Sequence, residues 1–374
     1  TGQGMVIGNC AFSFQDGPEK DPLFNSKLNF IDGHHFSMGG WQVISLNCPR
    51  AGYIAGGDLP KLVSTLKEWI DMAVEVFQLK YNRVMDLARR GKMTFLTQEL
   101  PGLNGKMMPP LTELEKLSYT IGVVGVNEMV EAMTGKSMHE SDASWKMAVR
   151  VLTELQMYIH EIAQKTGMAI AFARTPAETV AQRFAVCDLL DPAYKDTAIK
   201  HVKGNVERAI QELSSTRDLP VEYTNGAMLP ADAPVSLDEK VRKESVFFTT
   251  FDGGNIMNLY AASFDPRIVP MLANGASNEA VGGIVDDVMT RMMSFIKQYP
   301  LKHFTITQDL CVCMDCNKTT PGIYAECPQC RSKKIDTISR ITGYLQSTRG
   351  WNAGKMEELR MRHRYDMSVF KISG

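Results

Sequence analysis

The chain has 374 residues, of which 44% are hydrophobic and 22% charged, and its formal net charge is −1. This composition is typical of a globular protein, and a nearly neutral chain has no extended basic field that would gather nucleic acid. No apolar run approaches the ~18 residues of a membrane span, and the first residues lack a secretory pattern, so we expect neither nucleic acid nor a membrane as partner.

The first half of the chain alternates strand and helix signals. Asp58 is suited to cap a helix with Pro60 in its first turn, and apolar residues then recur at helical spacing. A β-branched and aromatic run favours a strand before this helix, and Gly167 is typical of a helix end. The predicted elements are a strand over 41–46, a helix from 58 to 91, a helix over 141–165 and a buried strand over 168–172.

The second half continues the alternation with shorter elements. Three prolines between 217 and 241 indicate a long surface excursion. The other predicted elements are a short helix after 174–178, strands over 244–249 and 303–307, and a helix over 284–296. Helices alternating with short apolar strands predict an α/β fold with parallel strands, but the pattern does not distinguish a barrel from an open sheet.

Cysteine usage suggests both a compartment and a metal site. Five of the eight cysteines lie between residues 311 and 330, unlike the even framework of small secreted domains, and we expect a reducing cytoplasm. Two Cys-x-x-Cys pairs, Cys313 with Cys316 and Cys327 with Cys330, are separated by ten residues. Four sulfurs satisfy tetrahedral zinc, so the spacing predicts a structural zinc ribbon; a pair of redox dithiols is the alternative.

A glycine-centred segment follows the cysteines. It runs Ser339-Arg-Ile-Thr-Gly343-Tyr-Leu345, and Trp351-Asn-Ala-Gly354-Lys355 lies beyond it. An isolated glycine is usually only a turn residue. Beside the cysteine pairs, however, the segment resembles the C-terminal end of anaerobic (class III) ribonucleoside-triphosphate reductases, which are glycyl radical enzymes. Glycine suits a backbone radical because no side chain hinders the flattening of its α-carbon.

Further motifs resemble the same family in the same order. They are Val6-Ile-Gly-Asn-Cys10, residues 33–39, Ser45-Leu-Asn47-Cys48-Pro-Arg50, Arg174-Thr-Pro-Ala-Glu178, Tyr223-Thr-Asn225 and Asp252-Gly-Gly-Asn255. The resemblance implies part of a ten-stranded α/β barrel of the glycyl radical enzyme type with a C-terminal zinc ribbon. It also implies a division into a barrel portion (1–305), the zinc ribbon (306–335) and the glycyl radical loop with the tail (336–374).

The resemblance assigns the radical relay to two residues. Gly343 would store the radical, and Cys10 would carry it as a thiyl radical to the 3′ carbon of ribose. The alternative for Cys10 is a small buried hydrophobic residue. Asn47 corresponds to an asparagine near the substrate, and Cys48 stands where leucine is more familiar and could serve a thiol reductant. Neighbouring strand residues face opposite ways, so which of Asn47 and Cys48 reaches the substrate stays open.

The segment Arg174–Glu178 follows a predicted strand and begins a helix. Free backbone amides at such a place suit phosphate, so we predict that it meets the phosphates of the substrate. The predicted contacts are Arg174, Thr175, Ala177 and Glu178. A simple capped helix with Pro176 in its first turn is the alternative.

The resemblance also implies partners. The first is a radical-SAM activating enzyme, which alone holds S-adenosylmethionine and an iron–sulfur cluster. The others are a ribonucleoside triphosphate substrate, a reductant (formate or a small thiol-redox protein), and a second copy of the chain in a homodimer. Because the catalytic subunits of the family are considerably longer, we expect this chain to be a C-terminal portion or one half of a split enzyme. A formate-lyase-like glycyl radical enzyme, a non-catalytic zinc-ribbon interaction protein and an inactive remnant are the rival hypotheses.

Overall fold

A computed structural model of the chain describes residues 5–8, 12–15, 40–101, 107–108, 114, 117–175, 177–263, 265, 267–341 and 343–367. The strands are β1 (Met5–Gly8), β2 (Phe12–Gln15), β3 (Gly40–Asn47), β4 (Leu100–Pro101), β5 (Met107–Met108), β6 (Ser118–Val124), β7 (Ile170–Ala173), β8 (Lys203–Gly204), β9 (Val221–Glu222), β10 (Met257–Ser263), β11 (Phe304–Gln308), β12 (Leu310–Cys313), β13 (Thr319–Pro321), β14 (Ile335–Ile341), β15 (Tyr344–Ser347) and β16 (Tyr365–Asp366).

The α-helices interleave with these strands. They are α1 (Cys48–Ala55), α2 (Leu59–Arg89), α3 (Thr94–Thr97), α4 (Val126–Thr134), α5 (Asp142–Thr166), α6 (Glu178–Leu190), α7 (Lys195–His201), α8 (Val206–Glu212), α9 (Leu237–Ser245), α10 (Phe247–Thr250), α11 (Ile268–Ala273), α12 (Asn278–Ile296) and α13 (Ala353–Met361). The fold is mixed α/β, as predicted from the alternation of elements.

A parallel sheet of β3, β6 and β7 forms the centre of the described structure. Its register pairs Ile44 with Ile121 and Ile121 with Phe172. Helices α1, α2, α4 and α5 connect these strands and enclose the largest apolar core against them. A parallel bridge between Ala173 and Gly254 connects β7 to the segment before β10, which pairs in parallel with β11 and β16.

Capping side chains define the long helices where the sequence predicted them. Asp58 Oδ1 accepts a hydrogen bond from the Lys61 backbone N–H (3.1 Å) at the start of α2, and the capping serine of α5, Ser141, accepts from Ser144. Gly167 ends α5 in the left-handed conformation (φ 68°). The predicted strands over 41–46, 168–172 and 303–307 are also confirmed within a few residues.

The strand predicted over 244–249 is wrong, because α9 and α10 cover this segment. Its aromatic and β-branched residues favoured a strand, but the buried side chains of Phe247 and Phe248 pack from helices. The overlooked signal lies upstream, where Ser236 caps α9 and accepts from the backbone N–H of Glu239. A serine followed three residues later by glutamate is the capping-box pattern.

The surface excursion predicted over 217–241 is wrong as well. Much of this segment is buried, including Tyr223 and Leu229. Its backbone groups are satisfied by neighbouring elements, since the Thr224 carbonyl accepts from Gly125 N–H and the Thr224 N–H donates to Glu128 (both 2.9 Å). Pairing of this kind allows an irregular segment with prolines to cross the interior.

The C-terminal region adds an antiparallel sheet in the order β13-β12-β14-β15. Its strand β14 pairs with β12 on one side, where Cys313 faces Ile335, and with β15 on the other, where Ile341 faces Tyr344. Among the described helices, none combines the length and the apolar character needed to cross a bilayer.

Candidate functional site

The four cysteines of the two Cys-x-x-Cys pairs converge at one end of the antiparallel sheet. Their sulfur atoms all lie within 4.8 Å of one another, and within the described part of the chain this is the one group of Cys, His, Asp or Glu side chains with the geometry of a metal site. Two of the sulfur pairs are 3.5 and 3.7 Å apart. Tetrahedral zinc with Zn–S bonds of about 2.3 Å places sulfurs about 3.8 Å apart, so Cys313, Cys316, Cys327 and Cys330 fit zinc.

Two matching backbone turns present these sulfurs. Cys313 N–H donates to the Lys318 carbonyl (2.9 Å), and Cys327 N–H donates to the Ser332 carbonyl (2.8 Å). The residue after the second cysteine of each pair has a left-handed backbone, with φ of 56° at Asn317 and 62° at Arg331. Such a conformation is uncommon without glycine, and it persists because the surrounding turn requires it.

Backbone donors also prepare a thiolate. The Cys316 N–H lies 3.5 Å from Cys313 Sγ, and hydrogen bonding from this backbone group lowers the pKa of the Cys313 thiol to about 6. Since zinc binds the thiolate form, the cluster is chemically suited to zinc as well as geometrically.

Gly343 lies at the tip of a hairpin that continues from the same sheet. Ile341, the last residue of β14, pairs with Tyr344, the first residue of β15, so Gly343 lies in the connection between the two strands. The Gly343 carbonyl accepts a hydrogen bond from Arg340 Nη1 (2.8 Å). Strand β14 therefore pairs with the strand that ends at Cys313 and continues into the glycine hairpin.

Cys10 and residues 33–39 lie outside the described residues, as does Pro176. The assignment of Cys10 as the radical thiol therefore stays a prediction.

Asn47 and Cys48 occupy the junction where β3 ends and α1 begins, and their side chains have different surroundings. Asn47 Oδ1 accepts from Arg50 N–H (3.3 Å), and its Nδ2 donates to both carboxylate oxygens of Asp188 (3.1 and 3.2 Å). Cys48 is fully buried in the main core, and burial raises its pKa to about 12. A thiol in this state is poorly suited to attack a disulfide, and the redox role of Cys48 stays a prediction.

A buried carboxylate organises the surroundings of Asn47, and the sequence did not indicate it. Asp188, from α6, is fully buried and accepts from Arg50 Nε (2.6 Å) and from the hydroxyl of Tyr223 (2.8 Å). The Tyr223 hydroxyl is also 3.1 Å from that of Tyr53. Burial raises the pKa of Asp188, whereas these donors favour its ionised form. Arg50 and Tyr223 belong to motifs already noted, but nothing marked Asp188.

Arg174 follows β7 at the carboxyl edge of the same parallel sheet. Its side chain is almost fully buried, and burial lowers the pKa of its guanidinium. Nη1 donates to the Ile256 carbonyl and Nη2 contacts Met228 Sδ. The Nε of Arg174 and the Oγ1 of Thr175 are both buried without a hydrogen-bond partner in the part of the chain that the structure describes.

The other two predicted phosphate contacts begin the helix beside Arg174. Ala177 N–H already donates to Asn225 Oδ1 (3.2 Å), and Glu178 is the first residue of α6. Gly122 of β6 lies directly behind Thr175, since a Cβ at this position would be 1.4 Å from Thr175 Oγ1. Ligands of open α/β sheets commonly bind outside the carboxyl ends of the strands, where Asn47 and Arg174 are located.

A family profile described as anaerobic ribonucleoside-triphosphate reductase matches residues 5–365. The chain belongs to this family. The family resemblance predicted from the ordered motifs is thereby confirmed. The anaerobic ribonucleoside-triphosphate reductase of Enterobacteria phage T4 is 22% identical over 341 residues, which cover 86% of this chain and 48% of the phage protein.

Solved structures of anaerobic ribonucleotide reductases share the fold. One matches with a TM-score of 0.61 and 19% identity, over 88% of this chain and 45% of its own. The Thermotoga maritima enzyme in complex with dATP and CTP matches with a TM-score of 0.57 and 18% identity, over 87% of this chain and 45% of its own. The chain thus spans about half the length of the relatives it matches.

Proposed function

We propose that this chain is the C-terminal portion of an anaerobic ribonucleotide reductase, which reduces ribonucleoside triphosphates to 2′-deoxyribonucleoside triphosphates for DNA precursor synthesis. The observation that carries the proposal is the hairpin with Gly343 at its tip, which lies in the same antiparallel sheet as strand β12, where the four-cysteine cluster begins at Cys313, in a chain of this family.

Gly343 is proposed to store the radical. A radical-SAM activating enzyme, which carries its own iron–sulfur cluster and S-adenosylmethionine, removes one hydrogen atom from the α-carbon of Gly343. Two features support this role. The hairpin tip carries the glycine at a turn, and Gly343 is only partly buried. A partner enzyme can therefore reach it without unfolding a core.

Cys10 is proposed to pass the radical to the substrate. Its thiol gives its hydrogen atom to Gly343, and the resulting thiyl takes the 3′ hydrogen from the ribose. The 2′ hydroxyl then leaves as water, and a reductant supplies two electrons and two protons in total. The 3′ hydrogen finally returns from Cys10. Formate or a small thiol-redox protein is the proposed reductant. Asn47 or Cys48 is proposed to lie beside the substrate on the face that the reductant approaches.

The phosphates of the substrate are proposed to bind at the carboxyl edge of the parallel sheet. The buried Arg174 Nε and Thr175 Oγ1 are donors without partners among the described residues, and an anion would satisfy them. Ala177 and Glu178, at the start of α6, complete the proposed contacts. The binding of dATP and CTP by the Thermotoga maritima relative supports a nucleotide triphosphate as the ligand class.

The wider architecture is proposed by the same family relation. The parallel strands belong to a ten-stranded barrel of the glycyl radical enzyme type, completed by a further portion of the protein. Residues 1–305 form the barrel portion, 306–335 the zinc ribbon and 336–374 the radical loop with the tail. Zinc, held by the four cysteines, has a structural role, because no coordination position remains open. The enzyme is proposed to act in the cytoplasm as a homodimer.

Anaerobic activation followed by electron paramagnetic resonance tests this function. We expect a doublet signal from the wild type after incubation with the activating enzyme, and no doublet from Gly343→Ala. The matched control is Gly350→Ala, in the 3-10 turn that follows β15, where a Cβ would meet no atom within 4 Å. This control should keep the doublet. A wild type without a doublet, or a doublet that survives in Gly343→Ala, would refute the proposal.

The same comparison separates the rival hypotheses. A zinc-ribbon interaction protein or an inactive remnant forms no radical in any variant. A formate-lyase-like enzyme gives the doublet but converts no ribonucleoside triphosphate to its deoxy product. Product analysis with CTP as substrate distinguishes that outcome.

A further inference from the structure

We propose that Arg340 is a positioning residue for the radical chemistry: its guanidinium holds and polarises the carbonyl of Gly343. This inference rests on the proposed function of Gly343, but its first test does not require a radical. The family motifs pointed to the glycine, and the contact with Arg340 comes from the structure.

Arg340 connects the hairpin tip to a different sheet. Its Nη1 donates to the Gly343 carbonyl (2.8 Å), and its Nε donates to Thr307 Oγ1 (3.1 Å). Thr307 is buried in β11, which pairs in parallel with β10 of the α/β region. The planar guanidinium of Arg340 thus fixes the distance between the glycine turn and strand β11.

The backbone of Arg340 is itself held in place. Its carbonyl accepts from Arg362 Nη2 (3.1 Å), and Arg362 Nη1 donates to Ser339 Oγ (2.9 Å). Arg362 is buried, pairs with Glu358 (2.6 Å) and lies over the ring of Tyr260 (4.1 Å). The guanidinium of Arg340 therefore extends from a fixed strand.

The charge of Arg340 is directed at the glycine. No carboxylate among the described residues forms an ion pair with Arg340, whereas its neighbours Arg362 and Arg364 pair with Glu358 and Asp309. Among the described residues, the hydrogen-bond acceptors of its guanidinium are the Gly343 carbonyl and the Thr307 hydroxyl, both neutral. A charged donor to a neutral carbonyl polarises it more than an amide donor does.

This polarisation matters for an electron on the α-carbon of Gly343. Such an electron is shared between the amide nitrogen, which donates electron density, and the carbonyl, which accepts it. A cationic donor at the carbonyl oxygen strengthens the accepting side. It also holds the peptide plane in the orientation that sharing requires. Loss of Arg340 should therefore lower the amount of radical without removing the glycine or the metal site.

The sequence offers a clean probe of the carbonyl. Gly-Tyr occurs twice, at Gly52-Tyr53 and at Gly343-Tyr344. A chain labelled with carbonyl-13C glycine and 15N tyrosine therefore gives two carbonyl–amide cross-peaks by NMR. Gly52 lies in α1, remote in sequence from the hairpin, and serves as the internal reference.

We expect the Gly343 carbonyl resonance to move upfield in Arg340→Gln, less in Arg340→Lys, and least in Thr307→Val, which keeps the charge but frees Nε. The Gly52 resonance should stay in place. The matched control is Arg349→Gln. It removes a nearby guanidinium that donates to the Ile335 carbonyl and not to Gly343. If the Gly343 resonance moves no more than that of Gly52 in all three variants, the proposed contact does not exist.

Radical yield supplies the second measurement. After anaerobic activation, Arg340→Gln should carry at least about fivefold fewer spins per chain than the wild type, as expected for a lost charge-assisted hydrogen bond. Arg349→Gln should match the wild type, and zinc content should be equal in all variants. Full radical yield in Arg340→Gln overturns this inference and leaves the proposed function intact. Absence of the doublet from the wild type overturns the proposed function instead.

Discussion

The cysteine cluster and the polar edge of the parallel sheet are built over very different sequence distances. The cluster draws its four sulfurs from residues 313 to 330, and each pair sits in one turn. At the sheet edge, Asp188 binds Arg50 and Asn47 across 138 and 141 positions of sequence. The first site is a property of local sequence, whereas the second exists only after the parallel strands have assembled.

The two regions also differ in the kind of ligand that their polar groups could bind. The sulfurs of the cluster face one another at distances that suit zinc. Most donors around Asp188 are satisfied by protein groups, but Arg174 Nε and Thr175 Oγ1 remain buried and unpaired in the described structure. The cluster therefore points to a structural metal, and the sheet edge points to a bound anion. The following predictions test this difference, from the largest expected effect to the smallest.

Removal of one zinc ligand should have the largest effect. Cys316→Ser should abolish stoichiometric zinc and destabilise the sheet of β12 to β15, because structural zinc binding contributes on the order of 10 kcal/mol to the folding of small zinc domains. Metal analysis and limited proteolysis of residues 306–350 measure the outcome. Cys187→Ser, at an exposed cysteine, is the control and should keep one zinc per chain. Retention of full zinc by Cys316→Ser would argue against the four-sulfur site.

Asp188→Asn should destabilise the sheet edge. The change leaves the Arg50 guanidinium without its buried partner, so we expect the free energy of unfolding to fall by about 3 kcal/mol in urea denaturation. Asp191→Asn is the matched control, since Asp191 also faces Arg50 but at 3.6 Å and partly exposed. It should cost less than about 1 kcal/mol. Equal effects of the two substitutions would show that the buried network does not organise this edge.

Gly122→Ala should displace Thr175. The added methyl group would overlap with Thr175 Oγ1, and overpacking of this kind costs about 2 kcal/mol. Binding of a ribonucleoside triphosphate should weaken as well, because the proposed phosphate contact moves. Gly282→Ala is the control, where a Cβ meets nothing within 4 Å in α12 and helix propensity favours alanine. Unchanged nucleotide affinity in Gly122→Ala would separate Thr175 from the phosphate site.

Ser236→Ala should have the smallest effect. It removes the hydrogen bond from Glu239 N–H to the serine hydroxyl at the start of α9, at a cost of about 1 kcal/mol. Ser294→Ala, on the exposed side of α12, should be neutral or slightly stabilising. A thermal unfolding comparison of the two variants measures the difference. No difference would mean that the cap does not define α9.

Sequence reasoning succeeded where the deciding interactions are local. The cap at Asp58 and the helix end at Gly167 helped to place the two longest helices, and cysteine spacing predicted the four-cysteine group that the structure brings together. It failed where local preference and tertiary packing disagree. The aromatic run at 247–248 favoured a strand, but it packs from helices because the cap at Ser236 starts a helix just upstream.

Long-range partners could not be predicted for a related reason. Proline content suggested an exposed segment over 217–241, yet Gly125 and Glu128 satisfy its backbone from a distant helix. Likewise, Asp188 lies in the last turn of a helix without a motif around it, and only the assembled sheet brings it to Asn47. The contact between Arg340 and Gly343 is short in sequence but depends on the hairpin turn, which the motif alone did not specify.

The central claim is that Gly343 carries an unpaired electron when the protein is activated. Oxygen reacts with such a centre and breaks the backbone there, so mass spectrometry of the activated chain after exposure to air tests the claim directly. We predict two fragments that meet at Gly343 in the wild type, and an intact chain in Gly343→Ala. A wild-type chain that remains whole after activation and air exposure, or one that breaks elsewhere, would contradict the account.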